Sequence, residues 1–329
     1  MAEVMIEVNN LTKFYGDHLA VDDISFEVKK GEVVGFLGPN GSGKTTTMRI
    51  LTGYLPPSTG TANIAGFNTM TDSLDARRHI GYLPETVPLY TDMTVEDYLK
   101  FLGTIRGMRK DHLKRRIDSA IERVKLGDYR KSFISKLSKG YRQRTGIAQA
   151  ILHEPEVLIM DEPTIGIDPI QVVETRALIR ELGGDHTLIL SSHILPEVSM
   201  ICQRVLVIHE GRIVADDQPT NLSERLQHTE RIELGISGAT AKDVINEIRK
   251  LPNIVDVRTD PRTEVQQRSS LEGTISLVAD ARPESGAPEA VANTVVGQCW
   301  GLKNLHPMPM TLEEIFLELT TEEDLETEN

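Results

Sequence analysis

The stretch Gly38-Pro39-Asn40-Gly41-Ser42-Gly43-Lys44-Thr45 decides the fold of this chain of 329 residues. It fits the phosphate-binding loop pattern, in which a glycine and four free positions precede glycine, lysine and serine or threonine. The apolar run 32–37 before it predicts a short buried strand, and the run 46–51 after it predicts the start of a helix. A strand, a glycine-rich loop and a helix in this order favour an α/β fold with a nucleotide at the loop.

Each residue type in this loop suits a polyphosphate. The glycines allow the backbone to wrap the phosphates with its N–H groups inward, at the positive end of a helix. The Lys44 amine adds a cation for the outer phosphates, and the Thr45 hydroxyl is a potential magnesium ligand. The predicted nucleotide contacts are Gly38, Pro39, Asn40, Gly41, Ser42, Gly43, Lys44, Thr45 and Thr46.

A second apolar strand, Val157-Leu158-Ile159-Met160, ends in Asp161 and Glu162. A phosphate loop needs a second magnesium anchor, and a carboxylate at the end of a neighbouring strand supplies one. Asp161 fits that role, and Glu162 then orients or deprotonates the attacking water. Paired acids at a strand end are common on protein surfaces. The interpretation of Asp161 and Glu162 as functional therefore depends on the phosphate-binding loop that precedes them in the chain.

Composition excludes several classes of protein. The net charge of −13, from 36 basic and 49 acidic side chains, argues against broad nucleic-acid binding, which needs a basic face. Two distant cysteines argue against a disulfide framework and favour a reducing cytosol. We expect no signal peptide, and no apolar run approaches the roughly 20 residues of a membrane span.

The remaining patterns predict two domains. The apolar segments 187–190 and 205–208 are typical of buried parallel strands, and residues 85–150 of helices. We predict a first domain over 1–220, a linker over 221–229 and a smaller α+β domain over 230–319. Its β-α-β-β-α-β order predicts a ferredoxin-like arrangement, closed by a helix with an apolar stripe at 312–319. The tail 320–329 is acidic and predicted to be disordered.

Between the two motifs lies Leu137-Ser138-Lys139-Gly140-Tyr141-Arg142-Gln143-Arg144. This segment resembles the signature motif of the ATP-binding-cassette ATPases, usually Leu-Ser-Gly-Gly-Gln. The order of phosphate loop, signature, Asp-Glu strand and a histidine matches that family over residues 1 to about 220. The resemblance implies a P-loop ABC ATPase domain with a mixed β-sheet core, an antiparallel β subdomain and a helical subdomain, and it implies ATP and magnesium as cofactors.

The resemblance also implies roles for single residues. Tyr15 matches the aromatic ring that stacks on adenine, and Glu85 matches the loop residue near the γ-phosphate and magnesium. Ser138 and Gly140 match the contacts to the γ-phosphate of a second subunit. Asp168 matches the dimer-contact loop and His193 the histidine that follows a strand and contacts the γ-phosphate. A core aromatic, a helix cap, a turn residue and a solvated histidine are the structural alternatives for these positions.

By the same resemblance, two copies pair head to tail around two ATP molecules and act on a separate polytopic permease. The chain is then a peripheral protein on the cytoplasmic face of the membrane, and the segment 82–93 frames the groove for a permease helix, with core packing as the alternative. Glu85 departs from the usual glutamine, and Lys139 and Tyr141 depart from the usual glycine and glutamine. The departures at Lys139 and Tyr141 resemble the cassettes of type-2 exporters. An importer ATPase and a soluble, non-transport cassette ATPase remain alternatives.

Overall fold

The computed structural model describes residues 3–225, 230–259, 274–282 and 285–308. These residues belong to two compact units, one ending at Pro219 and the other starting at Thr220. Each unit has its own buried hydrophobic cluster.

A six-stranded sheet lies at the centre of the first unit, and its strand order is β10-β9-β3-β8-β7-β6. Neighbouring strands from β9 to β6 are parallel, and the edge strand β10 is antiparallel to β9. All the residues of β3, β7 and β8 are buried, as the continuous apolar runs predict. The strands are β3 Val33–Leu37, β6 Ile80–Leu83, β7 Val157–Asp161, β8 Thr187–Ser192, β9 Arg204–His209 and β10 Arg212–Asp217.

A second, antiparallel sheet of the first unit has the order β2-β1-β4-β5. Its strands are β1 Val4–Tyr15, β2 His18–Lys29, β4 Thr59–Ile64 and β5 Phe67–Asn68. Helix α1, Lys44–Leu51, buries Met48, Ile50 and Leu51 in a cluster with residues of both sheets. The phosphate loop is therefore held between the last residue of β3 and a helix that is anchored in the core.

A helical region lies between β6 and β7. It consists of α3 Val95–Ile105, α4 Lys110–Arg123 and α5 Lys139–Ile151, with short 3₁₀ turns at Gly127–Tyr129 and Ile134–Lys136. The remaining helices of this unit are α2 Ser73–Arg78, α6 Pro169–Gly183 and α7 Leu195–Ser199. The predicted mixed sheet, antiparallel sheet and helical region are all confirmed.

The second unit has a four-stranded antiparallel sheet with the order β12-β13-β11-β14. Its strands are β11 Glu230–Ser237, β12 Ile254–Thr259, β13 Thr274–Ala281 and β14 Gly301–Met308, and its helices are α9 Ala241–Ile248 and α10 Ala287–Gly297. This order of elements and strands confirms the ferredoxin-like arrangement.

Helix α8, Pro219–Arg225, lies at the start of the predicted linker 221–229. The predicted closing helix at 312–319 and the predicted tail 320–329 lie outside the described residues. Among the residues that are described, no helix is both long and apolar enough to cross a lipid bilayer.

Candidate functional site

The phosphate loop joins β3 to α1, and its backbone conformation at Gly43 is one that only glycine adopts without strain or a clash. Gly43 caps α1 with a φ of 106°, and a Cβ there would lie 2.5 Å from the carbonyl oxygen of Ala20. The Lys44 amine donates to the carbonyl oxygens of Gly38 at 2.8 Å and Pro39 at 3.0 Å. The loop is thus folded around its own lysine, with the N–H groups of the α1 N-terminus available for an anion.

An open cleft of about 440 Å³ lies over this loop. The loop, the ring of Tyr15 at the end of β1, and the acids Glu85 and Glu162 all contribute to its walls. Tyr15 is 44% exposed, so its ring is accessible from the cleft, and Lys13 Nζ lies 5.5 Å from the ring centroid. The lining residues are Tyr15, His18, Ala20, Asn40, Gly41, Gly43, Lys44, Thr45, Thr46, Glu85, Glu162 and Ile165.

The charge of Lys44 is held among three carboxylates. Burial lowers the pKa of the Lys44 amine, and the negative charges of Glu162, Asp161 and Glu85 act against this lowering. The closest carboxylate oxygen, Glu162 Oε1, lies 3.6 Å from Lys44 Nζ. A polyphosphate that entered the cleft would supply further negative charge and favour the ammonium form.

The two acids at the end of β7 are positioned by a serine of the next strand. The Ser191 hydroxyl donates to Asp161 Oδ1 at 2.5 Å and accepts the backbone N–H of Glu162 at 2.9 Å. Glu162 has a φ of 46°, in the left-handed region where a non-glycine residue costs free energy. The Ser191 contact therefore stabilises a strained backbone that turns the Glu162 side chain toward the cleft.

His193 follows β8 and contacts the same acid. Its Nδ1 lies 2.9 Å from Glu162 Oε2. With Nδ1 as the donor, Nε2 can donate to a phosphate oxygen only when the ring carries both protons. His193 is not part of the cleft lining, and its contact with Glu162 suits a histidine that orients this carboxylate.

Asp161 Oδ2, next to the cleft residue Glu162, is buried and has no hydrogen-bond partner among the described residues. Glu162 Oε1 is also buried without a hydrogen bond there, but the Lys44 amine lies 3.6 Å from it as a cationic partner. A buried carboxylate oxygen without a partner costs free energy unless a cation or donor is present. Hard oxygen donors are the ligands that magnesium prefers, and Thr45 lines the same cleft. The residues present therefore fit a magnesium ion between Asp161 and the phosphate loop.

Ser138, Gly140 and Asp168 do not line this cleft. Ser138 caps α5, where its hydroxyl accepts the N–H of Tyr141 at 3.4 Å. Asp168 caps α6, where its carboxylate accepts the N–H of Gln171 at 3.0 Å. Both helix starts are exposed at their capping residues, so the structure separates the predicted site residues into two groups within one chain.

The departures from the usual signature have structural partners. The Lys139 side chain lies over Gly166, where a Cβ would come within 2.1 Å of Nζ, and Gly140 is covered by the side-chain amide of Gln171. The ring of Tyr141 packs on Tyr129 with a centroid distance of 4.2 Å. Lys139 therefore belongs to the contact between α5 and the loop before Asp168.

His18 and Ser191 are site residues that the sequence did not predict. His18 lines the cleft because it pairs with Tyr15 across the β1–β2 turn. His18 lies three residues after Tyr15, the predicted stacking residue, and this closeness in sequence could have identified it as a site residue. Ser191 is placed by the pairing of β7 with β8, where it stands opposite Asp161, and no local pattern marks it.

Comparisons with known proteins agree with this geometry. The family model described as ABC transporter matches residues 21–165. The linearmycin resistance ATP-binding protein LnrL of Bacillus subtilis is 33% identical over 322 residues, which cover 96% of this chain and 98% of LnrL. The Nod factor export ATP-binding protein I of Paraburkholderia xenovorans is 33% identical over 330 residues, with coverage of 98% and 99%.

A solved structure of cbiO1 from Clostridium perfringens, described as part of the ABC transporter complex cbiONQ, is also similar. Its TM-score is 0.62 at 26% sequence identity, and the match covers 81% of this chain and all of cbiO1. LnrL and the Nod factor export protein match the sequence through both units of the chain.

Proposed function

The chain belongs to the ATP-binding subunits of ABC transporters, and from this premise we propose that it is the motor of an exporter with a separate permease. The chain is an ATPase of this family. The observation that carries the proposal is the contact of Glu162 with both Lys44 and His193, at a cleft that Lys44, Glu162 and Tyr15 line.

ATP would lie along this cleft with adenine on Tyr15 and the phosphates at the loop. The Lys44 amine now bonds two backbone carbonyls of its own loop. Phosphate oxygens are stronger acceptors for an ammonium group than carbonyl oxygens, because both partners are charged. Nucleotide binding therefore exchanges internal contacts of Lys44 for contacts to the β- and γ-phosphates.

Magnesium would be held by Thr45, Asp161 and Glu85. When bound, the ion neutralises charge on the phosphates and on the leaving group. Asp161 offers its unpartnered Oδ2, and Ser191 fixes the other oxygen. Glu85 adds a carboxylate where the family has an amide, and a carboxylate is the stronger ligand for this ion.

Glu162 would orient or deprotonate the attacking water, and His193 would hold Glu162. A general base must lie within hydrogen-bond reach of the proton that it takes. The bond from His193 at 2.9 Å and the left-handed backbone at Glu162 keep the carboxylate at the cleft. Loss of either group then lowers turnover more than ATP binding.

A second copy would complete each ATP site. Ser138, Gly140 and Asp168 lie outside the chain's own cleft, at the N-termini of α5 and α6. An N-terminus of this kind attracts a phosphate. Head-to-tail pairing would bring it to the γ-phosphate held by the other copy, so that ATP joins the two copies and hydrolysis releases them.

The permease would dock at an apolar groove near α3. The groove is lined by Thr52, Gly53, Tyr54, Arg77, Ile80, Tyr82 and Arg106. Several large apolar side chains near it in sequence are exposed, namely Tyr54, Tyr90, Phe101 and Ile105. Tyr54 lines the groove itself, and an exposed apolar side chain of this size at a groove favours a protein partner. Tyr90 packs edge-on against Tyr98 and Phe101 and is half exposed, so the segment 82–93 combines core packing with exposed aromatic surface.

Export as the direction of transport is supported by the names of the relatives. The name of LnrL refers to linearmycin resistance, and the name of the second relative refers to Nod factor export. Both proteins match this chain almost end to end. We infer a role on the cytoplasmic face of the membrane, where the permease holds the chain. The transported molecule would be bound by the permease.

The experiment that tests this function isolates the tagged chain from its native membrane and assays the same sample for magnesium-dependent ATPase activity. We expect a polytopic membrane protein to co-purify and Glu162→Gln to abolish turnover while ATP now stabilises a dimer. Active ATPase with soluble partners alone would contradict the transporter proposal. Turnover at the parental rate in Glu162→Gln would contradict the role of Glu162.

A further inference from the structure

Thr164 and Glu197 form a buried contact that the proposed chemistry does not use. The Thr164 hydroxyl donates to Glu197 Oε2 at 2.5 Å, and each residue is 9% exposed. Thr164 lies on the loop between Glu162 and Asp168, and Glu197 lies in α7, just after His193. The bond therefore joins the two segments that carry Glu162 and His193.

Glu197 also binds a third segment, helix α6. Its Oε1 accepts a hydrogen bond from Arg176 at 2.7 Å, and Arg180 donates to the carbonyl oxygen of Met200 at 3.2 Å. Both carboxylate oxygens of Glu197 are thus occupied, and α6 is the helix that Asp168 caps. A buried charged group with two charge-assisted bonds resists separation of its partners.

The other side of the Thr164 loop is bound to α5. The Gln143 side chain donates to the carbonyl oxygen of Pro163 at 3.0 Å, and Gln143 is buried. Lys139 of α5 lies over Gly166 of the loop, and Gln171 of α6 lies over Gly140, so the start of α5 contacts both the loop and α6. Unbroken packing and hydrogen bonds therefore lead from the Ser138 helix through Thr164 to Glu197.

We propose that Thr164 and Glu197 are positioning residues that couple the two half-sites of one chain. The half-site at Ser138 and Gly140 would serve the nucleotide of the second copy, whereas Glu162 and His193 would serve the chain's own nucleotide. A shift of α5 on closure would reach the catalytic pair through the Thr164–Glu197 bond. This inference rests on the proposed dimer.

The test uses the purified full-length chain and a matched pair of threonines. Thr164→Val removes the bonded hydroxyl at nearly constant volume, and Thr164→Ser keeps a hydroxyl. Thr175→Val makes the same change in α6, where the hydroxyl is fully buried and has no hydrogen-bond partner among the described residues. Each variant is measured for kcat, for the Hill coefficient in ATP, for affinity for a fluorescent ATP analogue, and for Tm.

We expect Thr164→Val to lower kcat by about tenfold or more and to reduce cooperativity, with analogue affinity unchanged, because the bond to a buried carboxylate is lost. Thr164→Ser should restore most of kcat, and Thr175→Val should match the parent. Glu197→Gln should also lower kcat, and combining it with Thr164→Val should cost less than the two separate losses, since they share one bond.

Parental kcat and cooperativity in Thr164→Val would overturn the proposal. So would equal losses in Thr164→Val and Thr175→Val, which would indicate a general packing effect. Thr164→Ser and Glu197→Gln decide the question if Thr164→Val does not fold. Glu162→Gln, measured in the same series, tests the proposed function separately. If Glu162→Gln loses turnover while Thr164→Val keeps parental activity, the proposed function stands and the coupling is rejected.

Discussion

Ser191 and Asp161 stand opposite each other in the parallel pairing of β8 with β7, and the Ser191 hydroxyl donates to Asp161 Oδ1 at 2.5 Å. The same hydroxyl accepts the N–H of Glu162. One serine thus fixes both the candidate magnesium ligand and the candidate general base, although thirty residues of sequence separate it from Asp161.

Ser191→Ala should therefore lower both turnover and stability. The variant leaves the Glu162 N–H without its acceptor and frees an Asp161 oxygen, each a loss of about 1–3 kcal/mol at a buried site. We expect kcat to fall by about tenfold or more and the magnesium concentration for half-maximal ATPase rate to rise. The matched control is Ser192→Ala, because among the described residues the buried Ser192 hydroxyl bonds just the nearby Ile194 N–H. Equal kinetics in the two variants would contradict the role of Ser191.

Glu85→Gln tests the departure from the family at the magnesium site. Glu85 lines the cleft and its negative charge acts on Lys44. If the carboxylate ligates magnesium, the amide should raise the magnesium concentration for half-maximal ATPase rate. The measurement is a magnesium titration of the rate at fixed ATP, with Glu122→Gln on the exposed side of α4 as the control. An unchanged midpoint would show that Glu85 does not bind the ion.

Two glycines of the phosphate loop should differ in their tolerance of alanine. Both have positive φ angles, 84° at Gly41 and 106° at Gly43. A Cβ at Gly41 meets open space, whereas a Cβ at Gly43 lies 2.5 Å from the backbone oxygen of Ala20. Gly41→Ala should cost about 1 kcal/mol of backbone strain, and Gly43→Ala should displace the loop.

ATP binding and Tm measure this difference. We expect Gly41→Ala to keep measurable affinity for ATP and Gly43→Ala to lose it, with the larger fall in Tm. Similar affinities in the two variants would mean that the loop adjusts around Ala20 and that the close approach has no functional consequence.

Local patterns in the sequence predicted most of the fold. The buried strands at 33–37, 157–161 and 187–192 were visible as apolar runs, and the phosphate loop marked the strand and helix on either side of it. These features depend on neighbours in the chain, so a sequence window contains the information.

Contacts between distant segments were not predictable in the same way. The bond from Ser191 to Asp161 depends on the register of two strands, and the bond from Thr164 to Glu197 depends on how α7 packs. The left-handed backbone of Glu162 is sterically unfavourable for its residue type and persists because tertiary contacts stabilise it. Position along the chain led to the prediction that Asp161 and Glu162 are functional, whereas the contacts that hold them are visible only in the fold.

His153 predicts how stability depends on pH. Its Nε2 bonds the carbonyl oxygen of Ile80 at 3.0 Å, and Nδ1 is buried without a hydrogen-bond partner among the described residues. Burial, together with the nearby charge of Arg106, lowers the pKa of His153 from 6.5 to about 4. Between these two values the unfolded chain binds a proton that the folded protein excludes. Stability therefore falls as the pH falls through this window.

The free energy of unfolding in urea at pH 7 and at pH 4.5 measures this effect. His153 should contribute a loss of up to about 3 kcal/mol over the full window. His153→Gln keeps a donor for Ile80 and does not titrate, so its loss between the two pH values should be smaller than the parent's. His186, whose pKa burial also lowers, accounts for part of the remaining slope. His112→Gln on the exposed surface of α4 is the control and should keep the parental slope. Equal slopes in His153→Gln and the parent would mean that the buried ring is protonated in the folded protein as readily as in the unfolded chain.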